Sequence, residues 1–158
     1  PHRPLQAVAS AERVMAKAPH GAITFIGSSL GGYYATWLAE RHGLRAVLIN
    51  PAVHPHRDLR AYLGVQQNLY TGEKYVLAED DLSAWEDLFV PTVTPSRYLL
   101  LVETGDEVLD YSEAMNRYAG ATQVVVPGGD HTLRSFPEHI PLILDFAGSG
   151  TSGQPMDG

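Results

Sequence analysis

Ala22-Ile23-Thr24-Phe25-Ile26-Gly27-Ser28-Ser29-Leu30-Gly31 is the stretch that decides the fold. Its first five residues form a short, partly β-branched apolar run, the pattern of a strand buried on both faces, and the run breaks at Gly27. From Leu30 the pattern turns helical through Glu40, with Gly43 placed to cap the end. Gly27-Ser28-Ser29-Leu30-Gly31 thus fits G-x-S-x-G between a strand and a helix. So tight a turn is strained at its central serine, and the residues two before and two after it need hydrogen for a side chain. Gly27 and Gly31 meet that need. Ser29 then stands at the carboxyl end of a strand and at a helix N-terminus, where the amide of Leu30 can donate to a developing oxyanion. In isolation the string would be a strand-to-helix turn capped by serine; its position makes Ser29 a candidate nucleophile.

Working outward, Leu5 to Lys17 reads as a helix stopped by Pro19 and Gly21, and Arg45 to Ile49 as a second buried strand closed by Asn50-Pro51. Residues 52 to about 95 lose the alternation. Pro55, Gly64, Gly72, Pro91 and Pro95 punctuate short helical stretches such as Ser83 to Leu88, the signature of an insertion over a sheet edge. Its aromatic residues, Tyr62, Tyr70, Tyr75, Trp85 and Phe89, suit either a lid or a small satellite core, and Tyr33, Tyr34 and Trp37 suit either an acyl pocket or core packing. Order returns with a strand at Tyr98 to Val102, a helix at Ser112 to Tyr118, a strand at Gln123 to Val126 and a helix at Pro137 to Phe146. Repeated alternation of strand and helix implies parallel strands joined by helical crossovers, an α/β layered fold. Residues 1–147 are expected to form one domain with the insertion at about 52–95, and the Gly- and Ser-rich tail 148–158 to be disordered.

A serine hydroxyl needs a base, and a base needs an orienting acid. Thr104-Gly105-Asp106-Glu107-Val108 follows one strand and Pro127-Gly128-Gly129-Asp130-His131 follows the next, so an acid and a histidine come after the serine, each at a strand's carboxyl end. Asp106 is the first choice of acid; Glu107, Asp110 and Asp130 are alternatives, Asp130 disfavoured by being the histidine's chain neighbour. His54-x-His56-x-Asp58 resembles the start of a metal-ligand run but lacks a following histidine, and no metal role is assigned to it. His2, His20, His42 and His139 read as solvated.

The 158 residues carry a formal charge of -7 and contain 44% apolar residues and no cysteine. An acidic chain without a basic stripe repels nucleic acid, and the lack of cysteine removes disulfides, thiolate metal sites and a cysteine nucleophile. No apolar run is long enough to span a bilayer and no signal-peptide core is present, which makes the cytoplasm the expected location.

Gly-Ser-Ser-Leu-Gly-Gly-Tyr-Tyr-Ala-Thr-Trp-Leu at 27–38 resembles the YqiA-like bacterial esterases of the α/β-hydrolase superfamily. The resemblance continues in order through Asn50-Pro51-Ala52-Val53, Tyr62-Leu63-Gly64, Tyr70-Thr71-Gly72, Tyr75-Val76-Leu77, Thr104 to Tyr111 and Gly128 to His131. It implies a three-layer α/β-hydrolase-like sandwich around a mainly parallel sheet, and hydrolysis of short-chain acyl esters by Ser29, Asp106 and His131 without a cofactor. Members of that family open with a further strand and a His-Gly loop carrying a second oxyanion donor, and nothing before Ala22 matches them. The expectation is a chain lacking that strand and half of the oxyanion hole, with weakened turnover and a sheet edge open to a second copy. A thioesterase or acyltransferase would use the same residues, and a non-catalytic acyl-binding module of the same fold is the reading from another class.

Overall fold

The structure, a computed structural model, describes residues 3–18, 23–67 and 72–148. The strand's first residue Ala22, Tyr70-Thr71 of the family-like string, His2, His20 and the tail after Gly148 lie outside them.

Two segments are buried on both faces or nearly so, β2 (Arg45–Ile49) and β5 (Tyr98–Glu103), and β1 (Thr24–Ser28) is partly exposed beside them. With β6 (Thr122–Val126) they form one parallel sheet in the order β1-β2-β5-β6. Successive side chains point to opposite faces, and two helical layers cover them. Ala46, Leu48, Tyr98, Leu100 and Val102 pack against α2 (Leu30–His42) and α5 (Tyr111–Arg117), whereas Val47, Ile49, Leu99 and Leu101 pack against α6 (Phe136–Gly148). The chain has the three-layer α/β-hydrolase architecture expected of it.

The expectation that β1 is buried on both faces is corrected. Ile26 is 57% exposed and Thr24 and Phe25 are half-buried. The reason is the strand order: β1 is the outermost strand among the described residues and pairs on one side with β2 alone.

α1 (Pro4–Met15) packs on α2, and the stretch from 52 to 95 builds a second small core beside them. It holds α3 (Pro55–Asp58), a 3-10 turn at Leu59–Tyr62, an antiparallel hairpin of β3 (Gly64–Gln67) and β4 (Lys74–Leu77), and α4 (Glu79–Asp87). The hairpin is not legible in the sequence, because its apolar cross-strand pair, Val65 opposite Val76, faces solvent while Gln66 and Tyr75 turn inward. Trp85 is fully buried in the small core, so that aromatic residue is core. Tyr33 and Tyr34 also belong to it: the Tyr33 hydroxyl donates to the carbonyl of Trp85 at 2.5 Å, and the Trp85 indole N–H donates to the Tyr34 hydroxyl at 2.9 Å. Burial pushes the Tyr34 phenol up to about 12. No helix among the described residues is long and apolar enough to cross a membrane.

Candidate active site

The parallel register aligns the carboxyl ends of the strands. Ser28 lies opposite Ile49, Ile49 opposite Leu101, and Glu103 opposite Val126, so the residues that follow each strand gather at one rim of the sheet.

Ser29 lies between β1 and α2 with φ 53 and ψ -124, a conformation an L-residue seldom adopts and one that costs about 1–3 kcal/mol. Three backbone bonds hold it there: its N–H donates to the Ile49 carbonyl at 3.0 Å, and its carbonyl accepts from Gly32 at 2.9 Å and Ala52 at 3.0 Å. The requirement for glycine falls differently from expectation. A Cβ on Gly27 would meet the carbonyl oxygen of Gly31 at 2.3 Å and one on Gly32 would meet Pro51 Cβ at 2.6 Å, whereas one on Gly31 would meet nothing within 4 Å. Gly31 contributes its main chain to the crowding around Gly27, and Gly32 is the second position where hydrogen is needed. Leu30 opens α2, so its amide is one of the first-turn donors without an acceptor inside the helix.

The four candidate acids separate cleanly. Asp106, whose side chain is 1% exposed, places Oδ2 at 2.9 Å and Oδ1 at 3.0 Å from Nδ1 of His131. Its Oδ1 also accepts the amides of Val108 at 2.8 Å and Leu109 at 2.9 Å, which locks the carboxylate in place. Glu107 accepts the main-chain N–H of His131 at 3.1 Å. Asp110 caps α5 by accepting from Ser112 at 2.8 Å, and these Ser112 bonds hold its carboxyl below the usual range. Asp130 turns away, to Thr132 and Arg134.

Two groups that sequence reasoning passed over hold the histidine loop. Glu103, at the end of β5, is 1% exposed, and its carboxylate accepts the Asp130 amide at 2.7 Å and the Ser135 hydroxyl at 2.7 Å. Burial raises its pKa, and the bonds from Ser135 and the Asp130 amide outweigh burial, so the carboxyl titrates below its ordinary value. Asn50, at the end of β2, is 3% exposed. Its Nδ2 donates to the carbonyls of Asp130 and His131, and its Oδ1 accepts the Glu103 amide. The only signal in the sequence was a polar residue closing an otherwise apolar run.

The His54-x-His56-x-Asp58 run does not converge. His54 stacks on Phe89 at 5.5 Å between centroids, His56 meets the same ring edge-on at 6.0 Å, and Asp58 pairs with Arg57 at 2.6 Å. His42 pairs with Glu12 at 3.0 Å, and His139 lies 3.3 Å from the Ser135 hydroxyl.

Residues 1–148 match the model of the family described as "Uncharacterised protein family (UPF0227)". The chain belongs to UPF0227. Solved structures with the same fold include a protein from Agrobacterium vitis S4 that bears a provisional hydrolase name, at a TM-score of 0.73 and 17% identity over 92% of this chain and 69% of that one. Mouse alpha/beta hydrolase domain-containing protein 10 aligns at a TM-score of 0.70 and 14% identity over 94% of this chain and 71% of that one. The esterase domain of a Rhodothermus marinus protein aligns at 0.62 and 16% identity, over 94% and 68%. At these identities the likeness of this UPF0227 member to them is one of fold. Its chemistry must be argued from its own residues.

Proposed function

We propose that this UPF0227 chain is a serine-dependent carboxylic-ester hydrolase. The observation that carries the reading is the buried Asp106 carboxylate on Nδ1 of His131, on the same sheet rim as a serine held at positive φ. A carboxylate on Nδ1 leaves Nε2 as the nitrogen able to take a proton. Ser29 Oγ attacks the ester carbonyl carbon while Nε2 of His131 accepts its proton. The Leu30 amide donates to the resulting oxyanion, and the imidazolium, stabilised by Asp106, returns the proton to the departing alkoxide. Water then repeats the sequence on the acyl-serine and releases the acid.

A cavity of about 370 Å³ supports an apolar acyl group. It runs from Leu30 and Leu109 to Leu59, Tyr75, Leu77 and Trp85, bringing the insertion against the residues that follow Ser29 and Asp106. Its size lies near the lower end of the usual range for small-molecule sites, about 300–1,000 Å³, which favours short acyl chains. Among the described residues β1 pairs with β2 alone, and its far edge, with Ile26 exposed, suits pairing with a second copy. Light scattering that finds the chain and its I26K variant both monomeric would remove that part of the reading.

The test of the activity is a fluorophosphonate probe with mass spectrometry of the labelled peptide. Ser29 should be the labelled serine, and S29A and H131A should not react. Labelling of Ser28 would overturn the nucleophile assignment, and no labelling of the wild type would leave the non-catalytic acyl-binding module.

A further inference from the structure

The turn Ile49-Asn50-Pro51-Ala52 holds Ser29 with its main chain and the histidine loop with one side chain. The Ile49 carbonyl accepts the Ser29 amide at 3.0 Å and the Ala52 amide donates to the Ser29 carbonyl at 3.0 Å, while Pro51 abuts Gly32 in the first turn of α2. Between these anchors, Asn50 is buried at φ 37. Its Nδ2 lies 3.2 Å from the Asp130 carbonyl and 3.1 Å from that of His131, and its Oδ1 lies 3.0 Å from the Glu103 nitrogen. Glu103 in turn grips Asp130 and Ser135 on the other side of the loop. Gly129 passes so close to that carboxylate that a Cβ there would lie 2.1 Å from Oε2.

We propose that Asn50 is a positioning residue that sets the separation of Ser29 from His131, with Glu103 holding the loop from its other side; the inference rests on the hydrolase reading above. The residue type follows from the geometry. Positive φ is tolerated best by glycine, asparagine and aspartate among common residues. Glycine has no side chain to bond, and aspartate accepts but cannot donate to two carbonyls. Asparagine alone meets the backbone demand while donating to the loop and accepting from β5. A buried donor lost here leaves two carbonyls short of a partner at the base itself.

The experiment uses the 158-residue chain and its N50D variant, which keeps the shape and the acceptor and removes the donor. Three quantities are read: the fluorophosphonate rate at Ser29, the melting temperature, and the proton NMR signal of the His131 Nδ1–H. A misplacement of about 1 Å costs roughly 10²-fold in rate, so N50D should label about 10²-fold more slowly, with the ring signal lost and the fold retained. Wild-type labelling with the signal intact would overturn the proposal. Should N50D fail to fold, E103L and E103Q decide its second half. Leucine removes every acceptor and should slow labelling by a similar factor, and glutamine, which still accepts from Asp130, should recover most of the loss. Equal rates for E103L and the wild type would overturn it. If the wild type itself is unlabelled, the hydrolase reading fails while the ring signal still judges positioning: loss in N50D supports it, and persistence refutes it.

Discussion

Oδ2 of Asp106 lies 2.9 Å from Nδ1 of His131, across 25 residues of chain, and the carboxylate is almost fully withdrawn from water. That relationship separates one acid from its neighbours. D106N should lower turnover about 10³- to 10⁴-fold, because an amide presents the wrong partner to Nδ1 and disturbs the tautomer. D110N should leave turnover within a few-fold, since asparagine caps a helix as well as aspartate. Steady-state kinetics on one ester, with melting curves as the folding control, measures both. Equal losses in the two variants would dissolve the assignment.

Ser29 is held in a conformation that strains an L-residue. S29G should stabilise the protein by about 1 kcal/mol relative to S29A, because glycine occupies φ 53 without the steric cost that a Cβ incurs there. Both variants should be silent toward the fluorophosphonate. Urea denaturation of the pair reads the difference, and S29A proving the more stable would show that the turn is not strained at this position.

Acyl length should be set by the insertion. Leu59 lines the cavity that begins at Leu30, so L59W should cut kcat/KM for longer p-nitrophenyl acyl esters while sparing the acetyl ester. Each methylene of discrimination in an apolar pocket is worth about 10- to 200-fold. A uniform change across the series would place the acyl group elsewhere.

Acid should loosen the histidine loop through Glu103. Its folded-state pKa lies below its ordinary value of 4.5. The carboxylate therefore contributes stability that is fully present above the unfolded value and is lost as pH falls through the folded one. In E103Q, stability should vary less with pH below about 4.5 than in the wild type, while the two curves run parallel near neutrality. Denaturation midpoints across that range supply the comparison, and superimposable acid limbs would mean that another carboxylate governs them.

The strands of the parallel sheet, the turn at Ser29 and the order of serine, acid and histidine were legible because each rests on local constraints. A strand inside a parallel sheet must be apolar on both faces, as Val47 to Ile49 and Leu99 to Leu101 are, and a turn strained at Ser29 must make room at Gly27. The hairpin of β3 and β4 escaped because its outward face carries the valines, and the exposure of Ile26 escaped because an apolar run reads alike whether its faces are covered or open.

By itself, then, the sequence determined a parallel α/β sheet with Ser29, Asp106 and His131 in order at strand ends, since periodicity and turn chemistry are properties of neighbours along the chain. Only the tertiary structure decided that Asp106 rather than Glu107, Asp110 or Asp130 meets the imidazole, and that Asn50 and Glu103 suspend the loop bearing it. Those partners lie from 24 to 81 residues apart, whereas Asp110 and Asp130 direct their carboxylates to near neighbours. The direction of a side chain at the end of a strand depends on which strand lies beside it.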